Sequence, residues 1–283
     1  MRPGSPHESP QGLKRERKYL MQRKILAICA ALVALGALAI APTMVSAATL
    51  KDTSGGVVTT LAAGAKITAY STGTALFKGS GLTVECNENI LTGTVDKNDG
   101  EEAQLTIEDA WFQSSINASG TKCKSSLGEA TVTIPALTNE KGTGHWCIKN
   151  LKGTDNWELW GNSCTTATNT GTLTFVLDIG ELQCKYTRTT EVGRNPEGNV
   201  VKGTFTTNVG VEHKAASLTL TNDKTSTGVD EEGVTFSKEE GGILCPSTGK
   251  LSGLVFDLFT DPETSNKYVS PTVAPNPVFI TNP

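Results

Sequence analysis

Histidine is scarce in this chain, three residues in 283, and two of them, His145 and His213, lie beyond the N-terminal region. Neither neighbours a serine or cysteine motif, and there is no G-x-S-x-G elbow, no H-E-x-x-H helix and no Gly-rich phosphate loop. Histidine-based hydrolysis and nucleotide chemistry therefore have no foothold. No C-x-x-C pair or His-rich spacing occurs, which leaves zinc without a ligand set, and no motif calls for a cofactor. No stretch beyond residue 47 sustains a helical period. The longest apolar run, ILAICAALVALGALAI (Ile25–Ile40), falls short of the about 20 residues that a membrane-spanning helix needs.

That run reads instead as a secretory signal peptide. The basic stretch from Lys14 to Lys24 leads into it, and Pro42 with the small-residue site Val45-Ser46-Ala47 follows, so cleavage is expected before Ala48. Met21 opens a complete signal peptide on its own, which makes residues 1–20 an upstream extension. Cleavage removes mostly basic side chains and leaves a formal charge of −9, against −4 for the whole chain. An acidic surface without a basic stripe repels phosphate backbones, so nucleic acid is not an expected partner. No membrane span remains after cleavage.

Six of the seven cysteines lie past the cleavage point: Cys86, Cys123, Cys147, Cys164, Cys184 and Cys245. An even number in an exported chain reads as disulfides. The expectation is pairing of chain neighbours, Cys86 with Cys123, Cys147 with Cys164 and Cys184 with Cys245.

What is present is alternation. QLTIE (Gln104–Glu108), ATVTI (Ala130–Ile134), GTFTT (Gly203–Thr207) and SLTLT (Ser217–Thr221) place apolar residues at every second position, the signature of half-buried strands. Threonine and valine fill these runs, and β-branched side chains suit a pleated surface. LTFVLDIG (Leu173–Gly180) and LVFDLF (Leu254–Phe259) are denser and are expected to be central strands buried on both faces. Asn98-Asp99-Gly100 fits a tight hairpin and outweighs the faint calcium-loop pattern of Asp96–Glu101; Asn195–Gly198 and Asp261-Pro262 also read as turns. The acidic stretches Asp230–Glu232 and Lys238–Glu240 are expected to solvate loops. The fold class is therefore all-β, an antiparallel sandwich or barrel-like architecture stapled by disulfides, with little helix outside the signal peptide. Its domains are residues 1–47 as extension and signal peptide, 48–269 as one all-β domain and 270–283 as a proline-rich extended tail.

LQCKYTR (Leu182–Arg188), AASLTLTND (Ala215–Asp223), CPSTGKLSGLVF (Cys245–Phe256) and the strand-like GLTVEC (Gly81–Cys86) together resemble a group of uncharacterised secreted β-rich proteins of actinobacteria. The resemblance rests on motif order from about Leu82 to Phe259 and implies no catalytic residue. The chain departs from that group in its tryptophan-rich Cys147–Cys164 segment.

That segment is the candidate site. Trp146, Trp157 and Trp160 lie in or beside it, and closing a Cys147–Cys164 ring contributes on the order of 3 kcal/mol in the chain-entropy model. On a strand Trp157 and Trp160 face opposite sides, so one ring is expected to be buried and the other exposed. The loop reads first as a structural lid whose rings supply apolar area, and second as a ligand-stacking platform. The functional expectation is a secreted, non-catalytic binding or structural module at the cell envelope or outside the cell, with an envelope protein or a wall polysaccharide as partner. The alternative is an extracellular glycan-acting hydrolase using a carboxylate pair such as Glu85 with Glu88, Glu108 with Asp109, or Asp178 with Glu181.

Overall fold

The computed structural model describes residues 49–52, 57–115, 122–135, 145–150, 156–162, 164, 170–191, 201–206, 215–222, 233–260, 268–270 and 276–281. The expected signal peptide, His213, the turns expected at Asn195–Gly198 and Asp261-Pro262, and the Asp230–Glu232 stretch lie outside the described residues. Val45–Pro283 forms one compact unit.

After two short N-terminal strands, β1 (Thr49–Asp52) and β2 (Thr59–Thr60), the chain runs up and down in eight long passes, each interrupted near its middle. The first pass is β3 (Lys66–Ser71) and β4 (Ala75–Gly79). The second is β5 (Leu82–Cys86) and β6 (Glu88–Asn98), and the third β7 (Ala103–Gln113) and β8 (Cys123–Ser125). Then come β9 (Gly128–Thr133) with β10 (Trp146–Asn150), and β11 (Asn156–Trp160) with β12 (Thr170–Ile179). The last three are β13 (Leu182–Glu191) with β14 (Val201–Thr206), β15 (Ser217–Asn222) with β16 (Val234–Gly241), and β17 (Thr248–Ser252) with β18 (Val255–Phe259). A final strand, β19 (Val278–Thr281), ends the described chain.

Hydrogen bonding joins the halves of these passes into two closed antiparallel rings. The lower ring is ordered β3-β6-β7-β10-β11-β14-β15-β18 and the upper β4-β5-β8-β9-β12-β13-β16-β17. Both follow the passes in chain order and close the last onto the first, through β18 with β3 and β17 with β4. The two rings are therefore the lower and upper halves of one eight-stranded up-and-down barrel whose strands break at a common waist, and a single apolar cluster runs through both. Closure satisfies every ladder without leaving a free sheet edge.

Alternation along each strand decides which side chains fill the barrel. In β12, Leu173, Phe175, Leu177 and Ile179 are buried, whereas Thr172 is exposed and Thr174, Val176 and Asp178 are half-exposed. LTFVLDIG is thus buried on one face only, whereas VFDLF of β18 sends Phe256 and Leu258 inward and also buries Phe259 on the outer side, against Tyr70. The expectation of central strands covered on both faces fails for β12, whose outer side carries no second layer, and holds at the end of β18, where Tyr268 and Val269 cover Phe259 and Tyr70. Apolar side chains point in and polar ones out, the reverse of a membrane-spanning barrel. Lys238–Glu240 lies on β16 rather than in a loop, with Glu239 and Glu240 both 3.2 Å from the Lys185 ammonium on β13.

The two ends differ. Across the lower end β1 pairs with both β2 and β19, making a three-stranded sheet. Its Leu50, Val278 and Ile280 join the barrel core. Asn98, at the end of β6, holds the sheet in place: its Nδ2 donates to the carbonyls of Leu50 and Leu61, and its Oδ1 accepts the Leu50 N–H. Next to it Asp99 Oδ1 accepts the N–H groups of Glu101 and Glu102, and Gly100 takes φ +80°, so the expected tight turn is present. The upper end carries four hairpin tips at Ser80-Gly81, Ser126-Leu127, Gly180-Glu181 and Gly242–Ser247. Outside the lower ring, Tyr268 packs edge-on against Tyr70 at 5.8 Å and donates to the Ser71 carbonyl, so the chain after β18 straps the barrel wall.

Three disulfides, Cys86–Cys123, Cys147–Cys164 and Cys184–Cys245, join chain neighbours. Such bridges are compatible with an extracellular protein.

Candidate functional site

The tryptophan segment divides its rings between the two sides of the barrel wall. In β10, Trp146 and Ile148 face the interior and Cys147 faces out. On the neighbouring β11, Leu159 opposes Ile148 and Trp160 opposes Cys147, so Trp157 and Leu159 point in and Trp160 points out. Trp157 is 1% exposed and belongs to the barrel core. Trp160 is only 4% exposed, packed against the Cys147–Cys164 bridge. The alternation of faces is as strand geometry requires, but the expected exposed ring is absent. Cys164, shortly after β11, is bridged to Cys147 and covers the outward face of Trp160.

Two glycines make the passage from β11 to β12 possible. Gly161 and Gly171 stand where the chain leaves and returns, and a Cβ on Gly161 would lie 2.1 Å from the carbonyl carbon of Thr172. The Thr172 N–H donates to the Gly161 carbonyl. Thr190, fully buried on β13, ties both ends: its Oγ1 accepts from the Gly161 N–H at 3.0 Å and donates to the Gly171 carbonyl at 3.2 Å.

Inside the barrel lies a cavity of about 60 Å³ lined by apolar side chains alone. Upper-ring residues such as Phe77, Phe175 and Leu177 meet lower-ring residues such as Leu91, Ile107 and Ile148 around it, and Trp146 forms part of its wall. A smaller void of about 20 Å³ continues into the lower ring, and Leu91, Ile107 and Ile148 line both. The apolar space thus runs along the barrel axis through the waist. Four inward rings pack across the upper ring, Phe77 on Phe175 at 5.4 Å, Phe77 on Tyr186 at 4.7 Å and Phe175 on Phe236 at 4.9 Å. Tyr186 is fully buried among them, its hydroxyl has no hydrogen-bond partner, and burial pushes its pKa up to about 12, so it remains a neutral phenol.

Among the described residues, neither void is lined by a carboxylate, a histidine or a cysteine thiol free of a bridge. The carboxylate pair nearest the tryptophan segment is Glu108 with Asp109, at a bulge in β7 where Ile107 pairs with Trp146. The pair sits on the barrel's outer face. Partial burial works to raise the Glu108 pKa, but hydrogen bonds from Lys66 Nζ at 2.7 Å and Thr94 Oγ1 at 2.6 Å hold it below the ordinary value. Asp109 is raised, first by partial burial and then by the Glu108 carboxylate, with His145 working the other way. Both Glu108 oxygens are already engaged, which makes this carboxylate a strut between β6, β3 and β7. Glu85 faces outward on β5, Glu88 opens β6 across the waist, and Asp178 accepts from Gln183 at the Gly180-Glu181 tip. Among the described residues no group of three His, Cys, Asp or Glu side chains is placed to hold a metal ion.

The sequence marked the tryptophans and missed the cavity, whose walls come from almost every strand. The only advance signal was the inward half of each alternating run. Comparison of the chain with protein-family models, with curated proteins and with solved structures finds no match.

Proposed function

We propose that this is an exported, non-catalytic binding protein whose ligand site is the barrel interior, and that the ligand is a small apolar molecule or the apolar chain of a larger one. The observation that carries this reading is the interior cavity, apolar at every described residue that lines it, with a second void beside it that shares Leu91, Ile107 and Ile148. Water gains little in such a space, because it needs two or more polar partners to be held there, whereas a hydrocarbon gains contacts on every side. Export is part of the proposal, supported by the signal-peptide pattern before Ala48 and by three disulfides, as is the kinship with exported β-rich actinobacterial proteins inferred from motif order. The polysaccharide-stacking alternative loses support because Trp157 and Trp160 offer no exposed face. The glycan hydrolase loses support because no carboxylate lines either void.

Ala75 is 2% exposed and lines the cavity, so Ala75→Leu replaces a methyl with an isobutyl group inside it. Calorimetric titration of the oxidised mature chain with benzene and short alkanols is expected to show saturable binding, weakened at least tenfold in the variant. Equal binding by both proteins would place the ligand elsewhere, and no binding by either would remove the proposal.

A further inference from the structure

We infer that the upper end of the barrel docks on a lipid surface, inserting the Ile243-Leu244 tip and, half-way round the rim, Leu127. Ile243 is 99% exposed, Leu244 64% and Leu127 50%. All three sit at hairpin tips of the same end: Leu127 joins β8 to β9, and Ile243 and Leu244 join β16 to β17, with one hairpin between these two in each direction around the ring.

The Ile243-Leu244 tip has its flanking backbone groups bonded within the protein. The Cys245 N–H closes a turn on the Gly242 carbonyl at 3.1 Å. Lys238 Nζ donates to the carbonyls of Gly242 and Cys245, and the Cys184–Cys245 bridge ties the base of the tip to β13. Two apolar side chains therefore project from a turn whose flanking carbonyls are already occupied, which is the condition for entering a bilayer interface cheaply. At 99% exposure Ile243 touches almost nothing of its own protein, so it offers an isolated side chain and not the continuous patch of a complementary protein interface.

Charge selects the same end. Among the described residues, lysine, arginine and carboxylate side chains are near balance in the upper ring and its tips. In the lower ring, its Asp99–Glu102 turn and the terminal sheet, carboxylates among the described residues outnumber lysines two to one. An anionic lipid surface repels the lower end and meets no net repulsion from the upper. Val57 and Val58, also exposed, precede β2 on the acidic end and are therefore not part of the docking face. The cavity reading is independent of this one, since the tips stand outside the barrel.

The test is flotation of the oxidised mature chain with vesicles of phosphatidylcholine, alone and with phosphatidylglycerol. The chain is expected to float with both, and Ile243→Ser/Leu244→Ser to lose roughly a hundredfold in partition coefficient, on the scale of two buried aliphatic side chains, with an unchanged melting temperature. Val57→Ser/Val58→Ser is expected to float as the parent does. Absence of flotation, or flotation untouched by the tip substitutions, overturns the proposal. So does concentration-dependent dimerisation that the same tip substitutions abolish, because the occupant is then a second copy. Hydrocarbon binding in the cavity is expected to persist in the tip variant, so failure here leaves the ligand reading standing.

Discussion

Reduction of the three disulfides is expected to unfold the barrel. The bridges span 37, 17 and 61 residues in sequence, and the chain-entropy model gives about 4, 3 and 4 kcal/mol for loops of these sizes. The loops follow one another without overlap, so the constraints on the unfolded chain add. Their total approaches the whole stability of an ordinary domain, about 5–15 kcal/mol. Two of the bridges act at the waist and the third at the upper rim. Cys86–Cys123 joins β5 to the start of β8 at the waist, Cys147–Cys164 holds the cover over Trp160, and Cys184–Cys245 fixes the upper rim. Circular dichroism with and without a phosphine reductant at neutral pH is the measurement. The expected result is loss of the cooperative thermal transition in the reduced chain; a transition within a few degrees of the oxidised one would mean that packing alone holds the rings closed.

The second large effect is at Gly161. Alanine there would place its Cβ 2.1 Å from the Thr172 carbonyl carbon and 2.2 Å from its oxygen, and a Cβ on Gly171, in the second half of the same pass, would lie 2.6 Å from the Gly161 carbonyl carbon. The obstructing atoms are backbone, so no side chain can swing aside. Relief requires that β11 and β12 separate, which would break the Thr172–Gly161 hydrogen bond and both contacts of the buried Thr190. Gly161→Ala is expected to cost about 3 kcal/mol or more, at the upper end for overpacking. Gly242→Ala is the control, since its nearest neighbour is a Leu182 methyl at 4.0 Å, and a change within about 0.5 kcal/mol is expected there. Urea denaturation of the two variants separates these outcomes, and equal midpoints would show that the crossing at Gly161 is not as close as described.

Local pattern carried far here. QLTIE and SLTLT lie within β7 and β15, and the inward residues of each were set by alternation alone. Closure was not legible, because it depends on β18 finding β3, nearly two hundred residues earlier, and no local signal distinguishes that pairing from an open sandwich. The waist was hidden for a related reason. Turn-like residues such as Thr72-Gly73-Thr74 and Gly253 interrupt a strand without reversing it, whereas Ser80-Gly81 reverses it, and composition does not separate the two. The Cys147–Cys164 segment contains one of each, a hairpin between β10 and β11 and a waist excursion after Trp160. Alternation put Trp157 and Trp160 on opposite faces correctly, but it carried no sign that the Cys147–Cys164 bridge would pack over the outward ring of Trp160. The cavity could not be read either, since residues as distant as Ala75 and Phe256 share its wall.

The barrel as a container for an apolar guest is tested most directly by methyl-resolved NMR during titration with a small hydrocarbon. Shifts are predicted at Leu91, Ile107, Ile148 and Leu177, inward residues of both rings that line the cavity, while the outward methyls of Val176 and Leu127 stay still. Movement confined to the rim or outer wall, with those four unchanged at saturation, would contradict an interior site.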